Sequence, residues 1–100
     1  MEDITIEELK TRLDDGENIH LIDVREEWEH NTFNLGGRLI PLSTLPAVID
    51  DYDEWMDQEV VVYCKIGGRS ATAKRFMGKE GFSKVRNLIG GVKAWQSAFS

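Results

Sequence analysis

The chain has 100 residues, 41% of them hydrophobic and 30% charged, with a net charge of −6; this length predicts one domain over residues 1–100 and leaves no room for a second core. The acidic balance argues against nucleic acid or an anionic membrane as a standing partner, because phosphate contacts need a basic surface, and no apolar run approaches the ~20 residues of a membrane span. Met1-Glu2-Asp3-Ile4 lacks the basic and apolar segments of a secretory signal, and the single cysteine, Cys64, suits a reducing compartment, so a cytoplasmic location is expected.

Thr5 and Glu8 stand at capping-box spacing, and Ile6, Leu9 and Leu13 repeat with a helical period until Gly16, which predicts a helix over roughly 6–15. Residues 19–24 read as a buried strand ending in charge, followed by a short acidic helix from Arg25 to His30 that carries Trp28. Asp23 and Arg25 therefore sit at the C-terminal end of a strand. Residues 31–38 form a turn-rich connection, and Leu39-Ile40-Pro41 a short strand that the proline stops. Leu45, Val48, Ile49 and Tyr52 make a helical stripe, and Asp50 to Glu59 reads as an acidic connector on the solvated surface.

Val60, Val61, Val62 and Tyr63 are an unbroken apolar run, too short for a helix and suited to a strand buried on both faces of a parallel sheet. It delivers Cys64 at a strand's C-terminal edge, where open α/β sheets place their sites. Lys65, Ile66, Gly67, Gly68, Arg69 and Ser70 follow, and the two glycines permit a tight curl whose N–H groups converge on the sulfur. From Ser70 the pattern turns helical, with Ala73, Phe76 and Met77 on one face and Gly81 placed to end it in a left-handed cap. The helix start, Arg69 and Lys65 all favour a thiolate. Residues 85–88 read as a last strand, Gly90-Gly91 as a turn and Val92, Trp95 and Phe99 as the apolar face of a terminal helix.

Alternating strands and helices predict an α/β domain with a mainly parallel sheet between helices on both faces. A buried structural cysteine is the plain alternative for Cys64, but strand, glycine-rich curl, arginine and helix start together point to a nucleophile. Arg69 is expected to fix the loop and favour thiolate or anionic substrate, and Lys65 to guide an anion. Asp23 and Arg25 are expected to support the loop rather than do acid–base work. Trp28, Trp55 and Trp95 read as packing residues, neither histidine has a motif around it, and no residues have metal-ligand spacing.

Cys64-x-x-Gly67-x-Arg69-Ser70 resembles the active-site loop of the rhodanese sulfurtransferases. Leu21-Ile22-Asp23-Val24-Arg25-Glu26, Ile40-Pro41-Leu42 and Asn87-Leu88-Ile89-Gly90-Gly91-Val92-Lys93-Ala94-Trp95 extend the likeness in family order over nearly the whole chain. The segment Phe33-Asn34-Leu35-Gly36-Gly37 departs from the His-Ile-Pro-Gly-Ala character usual there. The resemblance implies the rhodanese fold with about five strands, no cofactor or metal, and sulfur moved from an anionic donor such as thiosulfate to cyanide or a thiol through a Cys64 persulfide. A persulfide carrier or regulatory module acting on a protein partner is the alternative, with the acidic 50–59 surface as a docking face. Phosphatases and arsenate reductases use a similar cradle, but six residues from Cys64 to Arg69 inclusive is one fewer than their loops hold.

Overall fold

The computed structural model describes residues 1–100. In chain order the elements are α1 (Ile6–Asp14), β1 (His20–Asp23), α2 (Glu27–Thr32), β2 (Arg38–Leu39), α3 (Leu45–Val48), a 3-10 helix (Ile49–Trp55), β3 (Glu59–Tyr63), α4 (Gly68–Lys79), β4 (Lys84–Asn87) and α5 (Gly91–Phe99). Thr5 caps α1, its side chain accepting from the Glu8 N–H at 3.1 Å. At the far end of α4, the N–H of Phe82 reaches the Met77 carbonyl and that of Gly81 the Gly78 carbonyl, with Gly81 at φ +106. This is the Schellman arrangement that the glycine foretold.

The four strands run in the order β2-β1-β3-β4, every pair parallel. The expected count of about five is corrected to four. The missing edge is a single bridge, Ile4 to Leu88, because Thr5 turns the chain into α1 before the pairing can extend. Along β2, Ile40 still donates to the Asp23 carbonyl and Leu42 to that of Val24, while Pro41 between them has no N–H to offer.

Strand alternation divides the core. Val60 and Val62 face α3, the 3-10 helix and α4, joining Ile22, Leu45, Ala73 and Met77, whereas Val61 and Tyr63 face the other side with Leu9, Leu88 and Val92. All four residues of 60–63 are 0% exposed, and each such side chain contributes a gross ~1.5–3 kcal/mol from burial. The reading of 50–59 as solvated surface holds only in part. Asp50, Asp51, Asp53, Glu54 and Asp57 are exposed, but Tyr52, Trp55 and Met56 pack on the core and Glu59 opens β3. The acidic residues hid the apolar ones between them.

Candidate active site

Cys64 leaves the C-terminal end of β3, and the chain then curls back so that Gly67, at φ +118, becomes the N-cap of α4. A cap normally offers a side-chain acceptor to the first turn, and glycine has none. The Cys64 sulfur takes that place, accepting from the Gly67 N–H at 3.1 Å and from the Ser70 N–H at 3.4 Å, with the Ser70 hydroxyl at 3.2 Å. Burial pushes the thiol up, but donation to the anion from the Ser70 hydroxyl and the N–H groups of Ser70, Gly67 and Ile66 outweighs it, so the thiol lies below its ordinary value. α4 begins at Gly68, two residues before the expected Ser70 start, because the curl itself supplies the first turn.

The carbonyls on the loop's other side are equally occupied. The Val92 N–H donates to the Cys64 carbonyl at 3.0 Å and the Lys93 N–H to the Lys65 carbonyl at 2.9 Å, so the first turn of α5 faces the cysteine loop. Gly91 (φ +61) makes this approach possible, since a β-carbon there would stand 2.5 Å from both carbonyl oxygens. Gly90-Gly91 is thus more than a turn: Gly91 is a wall of the loop.

Arg69 does not hydrogen-bond the sulfur. Its guanidinium forks onto Glu29 of α2, with Nη1 to Oε1 at 2.7 Å and Nη2 to Oε2 at 2.9 Å, tying the loop to an element 40 residues away. Glu29 also accepts from the Glu26 N–H at 3.1 Å, and the Arg69 hydrogen bonds hold its carboxyl down to about 2. Fixing the loop is therefore the part of the Arg69 expectation that the geometry carries. Asp23 is fully buried at the end of β1. Burial alone would raise its carboxyl, but Nε and Nη2 of Arg25, its backbone N–H, and Nδ1 of His30 at 2.9 Å surround it and keep it below the usual range. Arg25 in turn donates to the Phe33 carbonyl at 2.6 Å and lies over the Tyr63 ring. Asp23 and Arg25 support the wall beside the loop without touching the sulfur.

That wall is the atypical 33–37 segment. The Leu35 N–H donates to the Tyr63 hydroxyl, Asn34 closes a turn onto the Gly36 N–H, and Gly37 packs so tightly that a β-carbon would meet the Tyr63 ring at 2.9 Å. Lys65 and Ile66 are exposed at the loop tip. Lys65 joins Arg25, Trp28, Glu29, Thr32, Phe33, Val92 and Gln96 in lining a shallow pocket between α2 and α5, whose lining does not include Cys64. Trp55 stacks on His20 and Trp95 packs in the core as expected, but Trp28, 70% exposed, belongs to the pocket.

Of the loop residues 64–70, Gly67 and Ser70 meet the Cys64 sulfur, Arg69 turns to Glu29, and Lys65 and Ile66 stay exposed; three further residues join the site from elsewhere in the chain. Glu29 has no motif around it, although its capping-box spacing from Glu26 is a signal that it turns inward. His30 was dismissed for want of a motif. Asn87, at the end of β4, had no local signal beyond its place in the matching stretch; it bonds Ser70 and the Gly67 carbonyl.

A family model for the rhodanese-like domain matches residues 5–98. The chain is 33% identical over 94 residues to a sulfurtransferase of Allochromatium vinosum, covering 93% of this chain and 86% of that one. It is equally identical to a candidate sulfur carrier protein of Bacillus subtilis, of which it spans half the length. A human single-domain sulfurtransferase structure superposes with a TM-score of 0.80 at 25% identity, covering 98% of this chain and 97% of that one. The chain belongs to the rhodanese-like family and has its α/β fold.

Proposed function

We propose that this rhodanese-family chain is a sulfurtransferase that takes sulfane sulfur onto Cys64 from an anionic donor such as thiosulfate and passes it to cyanide or a thiol. In the first half-reaction the Cys64 thiolate attacks the outer sulfur of thiosulfate. The S–S bond breaks, its electron pair leaves on sulfite, and Cys64 is left as a persulfide anion. In the second, the acceptor attacks the outer sulfur and the electron pair returns to Cys64 as thiolate. No other oxidant or reductant is required.

The observation that carries this reading is the seat of the sulfur itself, held by the N–H groups of Gly67 and Ser70 in a loop whose Cys64 and Lys65 carbonyls are turned away onto α5. Such a seat favours a sulfur anion in the loaded and unloaded forms alike. Lys65, exposed at the pocket rim with no ion-pair partner, suits the approach of an anionic donor. A lone thiol working as a nucleophile suits a reducing compartment, and we place the protein in the cytoplasm.

The exposed Trp28 and Ile66 beside the site, together with the match to a candidate sulfur carrier, support a second reading in which the acceptor is a protein. Both readings use the same Cys64 persulfide. A thiosulfate–cyanide assay tests the first: turnover is expected from the native chain and none from Cys64→Ser, which keeps the fold. Turnover surviving in that variant removes Cys64 from the chemistry. Loading by thiosulfate with slow release to cyanide and fast release to a protein thiol selects the carrier reading.

A further inference from the structure

Cys64, Ser70 and Asn87 form a chain in which one proton is claimed twice. Ser70 Oγ lies 3.2 Å from Cys64 Sγ and 2.6 Å from Asn87 Oδ1, in a buried setting. A hydroxyl has a single proton to give. The orientation of the Asn87 amide follows from its other contact, because Nδ2 stands 3.2 Å from the Gly67 carbonyl oxygen, which can only accept. Turning the amide over would set two oxygens against each other. Oδ1 therefore faces Ser70 as an acceptor, and this short contact takes the hydroxyl proton in preference to the Gly67 carbonyl at 3.3 Å. Toward the sulfur, Ser70 is then left with a lone pair. That suits a thiol, which can donate its own S–H, and opposes a thiolate.

We propose that Asn87 is a positioning residue for Cys64: it holds the Ser70 hydroxyl proton away from the sulfur, and the hydroxyl swings from Asn87 to Cys64 when the sulfur becomes anionic. Asn87 thereby sets how much of the resting sulfur is thiolate. The inference rests on the reading of Cys64 as the working nucleophile. It assigns Asn87 a part in that chemistry that no local sequence pattern signals.

The charged groups around the sulfur stay the same in every variant needed to test this. They are Arg69 with Glu29 from α4 and α2, Asp23 with Arg25 and His30 beyond β1, Lys65 on the loop and Lys93 on α5. Behind Asn87, Asp3 accepts its N–H and pairs with Lys74.

The test is the alkylation rate of Cys64 by iodoacetamide against pH, in the native chain, Asn87→Ala, Ser70→Ala and the double variant. Asn87→Ala frees the hydroxyl for the sulfur and is expected to move the inflection down by about one pH unit, roughly tenfold more thiolate below it. Ser70→Ala is expected to stay within about half a pH unit of native, because what the hydroxyl gives the sulfur anion it loses at Asn87. The double variant should match Ser70→Ala. An Asn87→Ala inflection at or above native, or a downward shift that persists without Ser70, overturns the proposal. Should Asn87→Ala not fold, Ser70→Ala decides alone, since a rise beyond about half a unit means that the hydroxyl already serves the sulfur. Alkylation needs no sulfur donor, so failed sulfur transfer leaves this result standing and is told apart from it.

Discussion

A thiol works as a nucleophile at neutral pH only where its anion is better solvated by the protein than its neutral form. At Cys64 the solvation of the anion comes from the Ser70 hydroxyl and the N–H groups of Ser70, Gly67 and Ile66, with Arg69 holding the loop from outside through Glu29. Because the thiol is depressed, the reactive form is present above its inflection and lost as pH falls through it. Alkylation of the native chain should therefore show an inflection below that of a free cysteine, and an inflection at or above it would contradict the loop geometry. Glu29→Gln keeps an acceptor for Arg69 but removes the charge; a loss of about 1–2 kcal/mol in denaturant unfolding and weaker sulfur transfer are expected. Cys64 to Ser70 could be read from the sequence because they are contiguous. The pairings of Glu29 with Arg69 and of Asn87 with Ser70 could not, since the partners stand 40 and 17 residues apart and only the tertiary fold brings them together, while His30 meets Asp23 seven residues back through the β1–α2 turn, which no sequence motif marks.

At the scale of elements, the site is the meeting of three termini: the end of β3, the start of α4 and the start of α5. Gly91→Ala tests the third. Its β-carbon would collide with the Cys64 and Lys65 carbonyls in a left-handed conformation, so a loss of about 1–3 kcal/mol with collapse of sulfur transfer is expected. Gly16→Ala, between α1 and the start of β1 and away from the loop, is the control. It meets nothing within 4 Å and should cost about 1–2 kcal/mol for its φ of +81 while transfer survives. Equal loss of activity in both would show that Gly91 is a general turn. The strands and helices were legible from apolar periodicity and caps, because those signals are local. The 3-10 helix was legible only in its first half, where Ile49 and Tyr52 continue the helical stripe of Leu45 and Val48; Trp55 and Met56 are spaced among carboxylates that dominate any charge count. The fifth strand failed for the opposite reason, a correct local apolar residue, Ile4, cut short by its neighbour's cap.

Across the whole molecule, the parallel sheet separates Cys64 and its loop at the C-terminal edge from an ion network towards the other. There Glu59 accepts from Arg12 and from Arg86, which also grips Glu8 on α1, and the Arg12 hydrogen bonds draw Glu59 down to about 2. A carboxylate depressed in the folded state stabilises above its unfolded value, and that stability is lost as pH falls through the folded one. Glu59 and Glu29 should thus make the chain lose stability between about pH 4.5 and 2. Thermal melts against pH should show Glu59→Gln with a flatter acid limb and unchanged Cys64 alkylation; an acid limb as steep as native would remove Glu59 from the account. The family's layout, a sheet with helices on both faces, was readable from the order of elements, but this network was not, since Arg12, Glu59 and Arg86 carry no shared motif.

The most direct test of the central claim is the intact mass of the native chain before and after thiosulfate, then after cyanide. The account predicts a gain of one sulfur atom, mapped by fragmentation to Cys64, absent from Cys64→Ser, and removed by cyanide with return to the starting mass. No gain from thiosulfate or any other sulfane donor, or a gain that maps elsewhere, would contradict it.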